Sequence, residues 1–274
     1  MLTVRLVILA FLSLLCSPVL LGAALSPEAL SAHLLTQTGF DALLEQYPAL
    51  VKAGVARRAR FAGAPEQITR DSARLIDGVF IPAELNRELQ QRLQQRFDTT
   101  ELASLVSWYN SPVGQKIVAA EMQGVSQADY ASLQDSLSAL QARYQGTERE
   151  RLFAAYDSAT YATRMMVDNG AAIQVAMAAV LSGVIKGPGL PAFAVLRQSI
   201  EAQRTAMRGV AGQQVYLNYL YTYQDISVEE IRDYIDFARS DLGARFFETL
   251  NSGLYEVLNA KSEGIEQQSL QAAL

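Results

Sequence analysis

Two stretches of this sequence follow one helical pattern in the same register, without gaps. Asp98 aligns with Ser227, Glu101 with Glu230, Ser111 with Ser240, Gly114 with Gly243 and Gly124 with Gly253. Apolar positions coincide as well: Leu102 with Ile231, Val106 with Ile235, Trp108 with Phe237, Val113 with Leu242, Ile117 with Phe246 and Val118 with Phe247. Agreement at caps, turns and core positions together marks an internal duplication. In each stretch a capping box, Asp98 with Glu101 or Ser227 with Glu230, opens a helix of about three turns that ends on an aromatic position. Ser111 or Ser240 then caps a second helix. Pro112 suits the first position of one, and Asp241 sits near the positive end of the other. Gly114 and Gly243 fall inside that first turn, where glycine costs about 1 kcal/mol relative to alanine. Their presence implies close approach of another helix or of a ligand.

The rest of the chain is punctuated in the same way. Ser26-Pro27 opens a helix that stops near Gly39, and Phe40 to about Arg60 forms a second, bent or broken at Pro48. Phe61 to Pro65 is a short loop, and Ile68 to Phe80 is helical. Pro82 opens an amphipathic helix with Leu85, Leu89 and Leu93 on one face. Ser111-Pro112 starts a helix that can run to about Tyr144. Thr147 with Glu150 reads as a third capping box after the turn at Gly146. A pause is expected at Asn169-Gly170, before the apolar run Ala171 to Ile185. Lys186 to Pro191 is the strongest loop signal. The helix that follows has a possible break between Gly209 and Gly212, and Ser240 caps the last long helix. No stretch alternates as a strand does. The expected fold is all-α, a multi-helix bundle built from two related helical repeats. These span 25–146 and 147–274, join near Gly146, and can pack as one domain.

Residues 1–24 read as a signal peptide. Arg5 supplies the positive end, Leu6 to Leu15 is apolar apart from Ser13, and Gly22-Ala23-Ala24 offers small residues for cleavage after Ala24. The alternative is an uncleaved anchor, because the apolar stretch is nearly long enough to span a bilayer. Leu14-Leu15 ahead of Cys16 argues against lipid attachment there. The expectation is a periplasmic protein with no integral membrane span after cleavage.

Composition narrows the chemistry. The chain carries 23 Lys and Arg against 28 Asp and Glu, and the leader removes one of the basic residues, so nucleic acid is a poor partner. Cys16 is the only cysteine and His33 the only histidine. Thiol catalysis, thiolate metal sites, a histidine-rich zinc site and a zinc-protease motif therefore have no residues to work with. No metal site, cofactor motif or catalytic set is assigned. Glu101 and Glu230 are better explained by capping than by catalysis, and His33 reads as an ordinary helix residue.

The segments WYNSPVGQKI (Trp108 to Ile117) and DFARSDLGARFF (Asp236 to Phe247) resemble the signature of an exported bacterial family catalogued as domain of unknown function 2059. The pattern is an aromatic helix end, Ser-Pro-x-Gly, then an amphipathic helix. The resemblance is good from about Asp98 to Val125 and weaker from Ser227 to Leu258, where Asp241 replaces the proline. It implies two copies of an all-helical, periplasmic domain and brings no activity with it.

Several residues have two readings. Trp108, Tyr109, Ser111 and Gly114, with Phe237, Ser240 and Gly243, either line a ligand or partner groove or form a helix-turn-helix packing motif. Tyr216, Tyr219 and Tyr223 share a helical face that is either an exposed binding stripe or core. Ala171 to Ile185 is either a central helix or the wall of a lipid cavity. Arg57, Arg58 and Arg60, near Lys52, either meet anionic headgroups or an acidic partner, or are a solvated face. The leading expectation is non-catalytic binding of an envelope protein or an amphiphilic ligand in a groove between the halves. The alternatives are a carboxylate-dependent enzyme acting on cell-wall glycans and a structural oligomeric component of the envelope.

Overall fold

The computed structural model describes residues 25–126, 130–185 and 192–271, and among these described residues there are twelve helices. Residues 1–24, on which the signal-peptide reading and Cys16 fall, and the loop signal at 186–191 lie outside the described residues. The first helices are α1 (Pro27–Gln37), α2 (Phe40–Phe61), α3 (Glu66–Val79) and α4 (Pro82–Arg96). They are followed by α5 (Thr99–Tyr109), α6 (Pro112–Ser126), α7 (Tyr130–Tyr144) and α8 (Glu148–Thr160). The last are α9 (Ala162–Val184), α10 (Phe193–Thr222), α11 (Val228–Arg239) and α12 (Asp241–Gln271). No strand occurs among the described residues, and the fold is an all-α multi-helix bundle.

The Asp98/Glu101 and Ser227/Glu230 capping boxes form, each with both reciprocal hydrogen bonds. The Thr147/Glu150 box does not. The Thr147 hydroxyl donates back to the Tyr144 carbonyl (2.6 Å), and Glu150 accepts instead from the Gly146 amide (2.6 Å). The expected pause at Asn169-Gly170 and break at Gly209 are also absent. α9 and α10 run through those positions, and a Cβ on Gly170 would lie 3.3 Å from Met207 Cε. Side-by-side packing of these two helices outweighs the roughly 1 kcal/mol that a helical glycine costs. The chain turns instead at Tyr161, a left-handed residue at φ 57° between α8 and α9. Pro48 lies inside α2, which continues through it.

α9 is the central post. It packs against α2, α3, α10 and α12 and buries Val167, Ala171, Ala172, Val175, Ala176, Ala179 and Val180. By length and composition α9 could also cross a bilayer; here it carries the bundle core. Two clusters build that core. One joins α1–α5, α9, α12 and the start of α10, and the three leucines of α4 (Leu85, Leu89, Leu93) lie fully inside it. The other joins α6, α7, α8, α10 and α11. Trp108 and Phe237 pack against both.

Candidate functional site

The seam between the two clusters is an aromatic junction. The Trp108 and Phe237 rings stack with centroids 3.9 Å apart and planes 9° from parallel. Tyr109 meets both edge-on, at 5.0 and 5.9 Å, and Tyr234 stacks on the indole at 5.6 Å. Positions that align in the sequence therefore meet face to face in space.

The same reciprocity extends outward. Ile117 on α6 is buried with Ile226, Ile231 and Ala238, around α11. Its aligned residue, Phe246 on α12, packs edge-on against Phe97 (6.4 Å) and Tyr109 (5.9 Å), around α5. Lys116 pairs with Glu230, and Arg245, the residue aligned with Lys116, pairs with Glu101. Each stretch thus lends its second helix to the first helix of the other. The two glutamates serve both as capping-box residues and as cross-pair partners. Their carboxyls are held below the usual carboxylate range, first by the Arg245 or Lys116 hydrogen bond and then by the cap backbone amide.

Ser111 and Ser240 cap as expected, accepting from the Gly114 and Gly243 amides at 3.1 and 3.0 Å. The two glycines are required by the end of their own preceding helix. A Cβ on Gly114 would sit 2.8 Å from both Tyr109 Cα and Tyr109 O, and closer still to the Trp108 carbonyl oxygen. A Cβ on Gly243 would sit 2.9 Å from the Phe237 carbonyl carbon and 3.1 Å from Ala238 Cα. A helix that turns back this tightly leaves no room for a side chain.

Beside the junction lies a group that sequence reasoning missed. Glu121 on α6 is part-exposed as a residue, but its carboxyl is enclosed by tyrosines. Tyr223 donates to Oε1 at 2.6 Å and Tyr234 at 3.2 Å. The Tyr156 and Tyr223 hydroxyls are 3.2 Å apart. A hydroxyl has one proton, so while Tyr223 donates to Glu121 it accepts from Tyr156. Burial raises the pKa of Glu121, against the lowering effect of its tyrosine donors. Burial, then the Glu121 charge, pushes up Tyr109, Tyr156, Tyr223 and Tyr234. One signal pointed here: Glu121 stands four residues after Ile117, on the core face, where the second stretch has buried Leu250.

The remaining sequence-stripe residues occupy the same neighbourhood. Tyr219 is buried, donates to the Arg149 carbonyl (2.9 Å), and is pushed up to about 12 by burial. Tyr216 is half-buried and donates to Glu150 (3.1 Å). The buried Arg149 guanidinium donates to the Tyr223 and Ile226 carbonyls and covers the Tyr144 ring at 5.0 Å, which pins the turn between α10 and α11. Tyr109, Gly114, Gly243, Tyr219 and Tyr223 are buried, Trp108, Ser111, Tyr216 and Phe237 half-buried, and Ser240 exposed. His33 is exposed. No group of His, Cys, Asp and Glu among the described residues is arranged to hold a metal ion.

Open space lies elsewhere. A groove of about 380 Å³ runs between α4 and α12, walled by Arg92, Gln95, Arg96, Glu248, Thr249, Ser252 and Gly253. Gly253 lets the helices approach, since a Cβ there would lie 3.0 Å from Leu89 Cδ1. A cleft of about 370 Å³ lies between α10 and α12 and contains Glu201, Glu256 and Glu263. Each of these carboxylates is paired, with Arg204, Arg92 and Arg197 respectively. Burial pushes Glu201 up, but its Arg204 and Tyr255 hydrogen bonds together with the Arg204 and Arg197 charges hold it below the usual carboxylate range. A glycan-cleaving acid needs the opposite shift. Among the described residues the carboxyl that is raised, Glu121, has its space filled by tyrosine rings.

Comparison with known proteins adds one match. Residues 83–143 match the model of a family described as an uncharacterized protein conserved in bacteria (DUF2059). The match takes in α4, α5, α6 and nearly all of α7, including Trp108 to Ile117. No curated protein matches the chain, and no solved structure matches it.

Proposed function

We propose that this is a non-catalytic, exported binding protein of the bacterial envelope, built from two copies of one helical unit. It holds a protein partner in the groove between α4 and α12. The leader, residues 1–24, is removed after Ala24, and the mature chain works in the periplasm. The two copies, 25–146 and 147–274, join near Gly146. The cross-paired helices support the duplication: Trp108 on Phe237, Lys116 on Glu230 and Arg245 on Glu101 join aligned positions.

One observation carries the binding assignment. The α4–α12 groove takes one wall from each copy and is lined by polar side chains. An open groove with arginine and glutamate on its rims suits a polar protein segment better than a lipid tail. The aromatic junction is its scaffold, and its rings are occupied with one another.

A photo-crosslinking amino acid at Ser252, inside the groove, is compared with one at Ser158 on α8, an exposed position that does not line it. In the native envelope, Ser252 is expected to yield one discrete crosslinked species and Ser158 none. A species of twice the chain mass would make the protein a self-associating structural component. Absence of any discrete species at Ser252 would sink the proposal.

A further inference from the structure

The outer face of α2 has a composition unlike the rest of the surface. From Ala49 to the end of the helix its exposed positions are Ala49, Leu50, Ala53, Arg57, Arg58, Arg60 and Phe61, without one carboxylate. Phe61 is 95% exposed and Leu50 42%. Leu50, Ala53, Arg57 and Phe61 follow the three- and four-residue steps that keep side chains on one face. Several arginines elsewhere on the surface are tied to acids: Arg70 to Glu66, Arg74 to Asp71, Arg92 to Glu256 and Arg232 to Glu148. Among the described residues none of Arg57, Arg58 and Arg60 has an ion-pair partner, and nearby Asp77 is taken by Lys52. A cleft of about 230 Å³ between α2 and α3, walled largely by small apolar side chains, shares Ala53 with this face.

Arg58 and Arg60 lie in the last turn, where they complement the negative end of the helix dipole. That accounts for two cations. It does not account for a wholly exposed phenylalanine beside them, nor for an apolar stripe leading up to it. An aromatic ring flanked by unpaired arginines, on a protein whose net charge is -5, complements an anionic bilayer surface: the guanidinium groups meet phosphates while the ring enters the acyl boundary.

We infer that the exposed face of α2, from Leu50 to Phe61, docks the protein on anionic phospholipid bilayers. The contact is peripheral, and it lies on a helix separate from the α4–α12 groove, so it stands or falls independently of the partner assignment.

The test is flotation of the protein, purified as it accumulates in the cell, with phosphatidylcholine vesicles with and without about 30 mol% phosphatidylglycerol. Binding is expected only to the anionic vesicles. Combined Arg57→Gln, Arg58→Gln and Arg60→Gln substitution is expected to weaken it by about a hundred-fold. Phe61→Ser should weaken it by about tenfold. These positions are exposed, so the variants should melt with the wild type, which circular dichroism checks. Equal binding to both vesicles, no binding to either, or unchanged binding by the arginine variant overturns the inference. Retention on poly-glutamate without vesicle binding would assign the face to an acidic protein and overturn it too.

Discussion

Replacing Gly114 by alanine should destabilise the protein, against the ordinary rule for helices. Inside a helix, Gly→Ala gains about 1 kcal/mol from backbone entropy. At Gly114 the new methyl would sit 2.8 Å from two atoms of Tyr109 and closer to the Trp108 carbonyl. All of these belong to backbone, so no rotamer change relieves them. The α5–α6 turn must open instead. Overpacking of this kind costs about 1–3 kcal/mol. Opening the turn also strains the Ser111 cap, worth about 1 kcal/mol, and the Trp108–Phe237 stack, worth about 0.5–1.5 kcal/mol. After the propensity gain is subtracted, the net loss is about 1.5–4.5 kcal/mol, or a fall in Tm of about 3–18 °C for a chain of this size. Gly209 is the control. It lies within α10 and is exposed, and a methyl group added there would have no neighbour within 4 Å. Gly209→Ala should raise Tm by about 2–4 °C. Thermal unfolding followed by far-UV circular dichroism gives both numbers. If Gly114→Ala melts at or above the wild type, the account of the turn is refuted.

Two further outcomes are expected. The Glu121 carboxyl is raised above its ordinary value of 4.5 in the folded protein, so the unfolded chain releases this proton first. The Glu121 contribution to stability is therefore full below about pH 4.5 and declines as pH rises towards the folded-state value. Glu121→Gln should flatten that decline, and parallel pH profiles for wild type and variant in urea titrations would refute it. Trp108 and Phe237 should show a coupling of about 0.5–1.5 kcal/mol in a double-mutant cycle with leucine at each position. Strict additivity would mean that the stack contributes only its buried area.

Much of the architecture is legible in short-range chemistry. The capping boxes at Asp98 and Ser227, the serine caps at Ser111 and Ser240, and the proline starts of α1, α4 and α6 depend on a few neighbouring residues, and the structure forms them as read. Gly114 and Gly243 signalled a close approach, but the approaching group is the end of the same helical hairpin. The misreadings have one physical origin. Asn169-Gly170 and Gly209 look like breaks because local propensity disfavours helix there, yet α9 and α10 support each other along their length. Tyr161 turns the chain with a side chain that gives no turn signal. Glu121 was overlooked because its four tyrosine neighbours come from α5, α8, α10 and α11, and spacing along one helix cannot reveal a site gathered from five.

The exchanged helices impose an order on assembly. Lys116 waits for Glu230, 114 residues later, and Glu101 waits for Arg245, 144 residues later. While the chain is being made, α5 and α6 can hold their own hairpin, but the faces they owe to α12 and α11 stay open until nearly the whole polypeptide has emerged. Closing loops of that length is slow, and it exposes apolar surface in the meantime. The junction therefore locks late in the assembly of the bundle. A ribosome-bound fragment ending before residue 227 carries an indole with nothing to stack on.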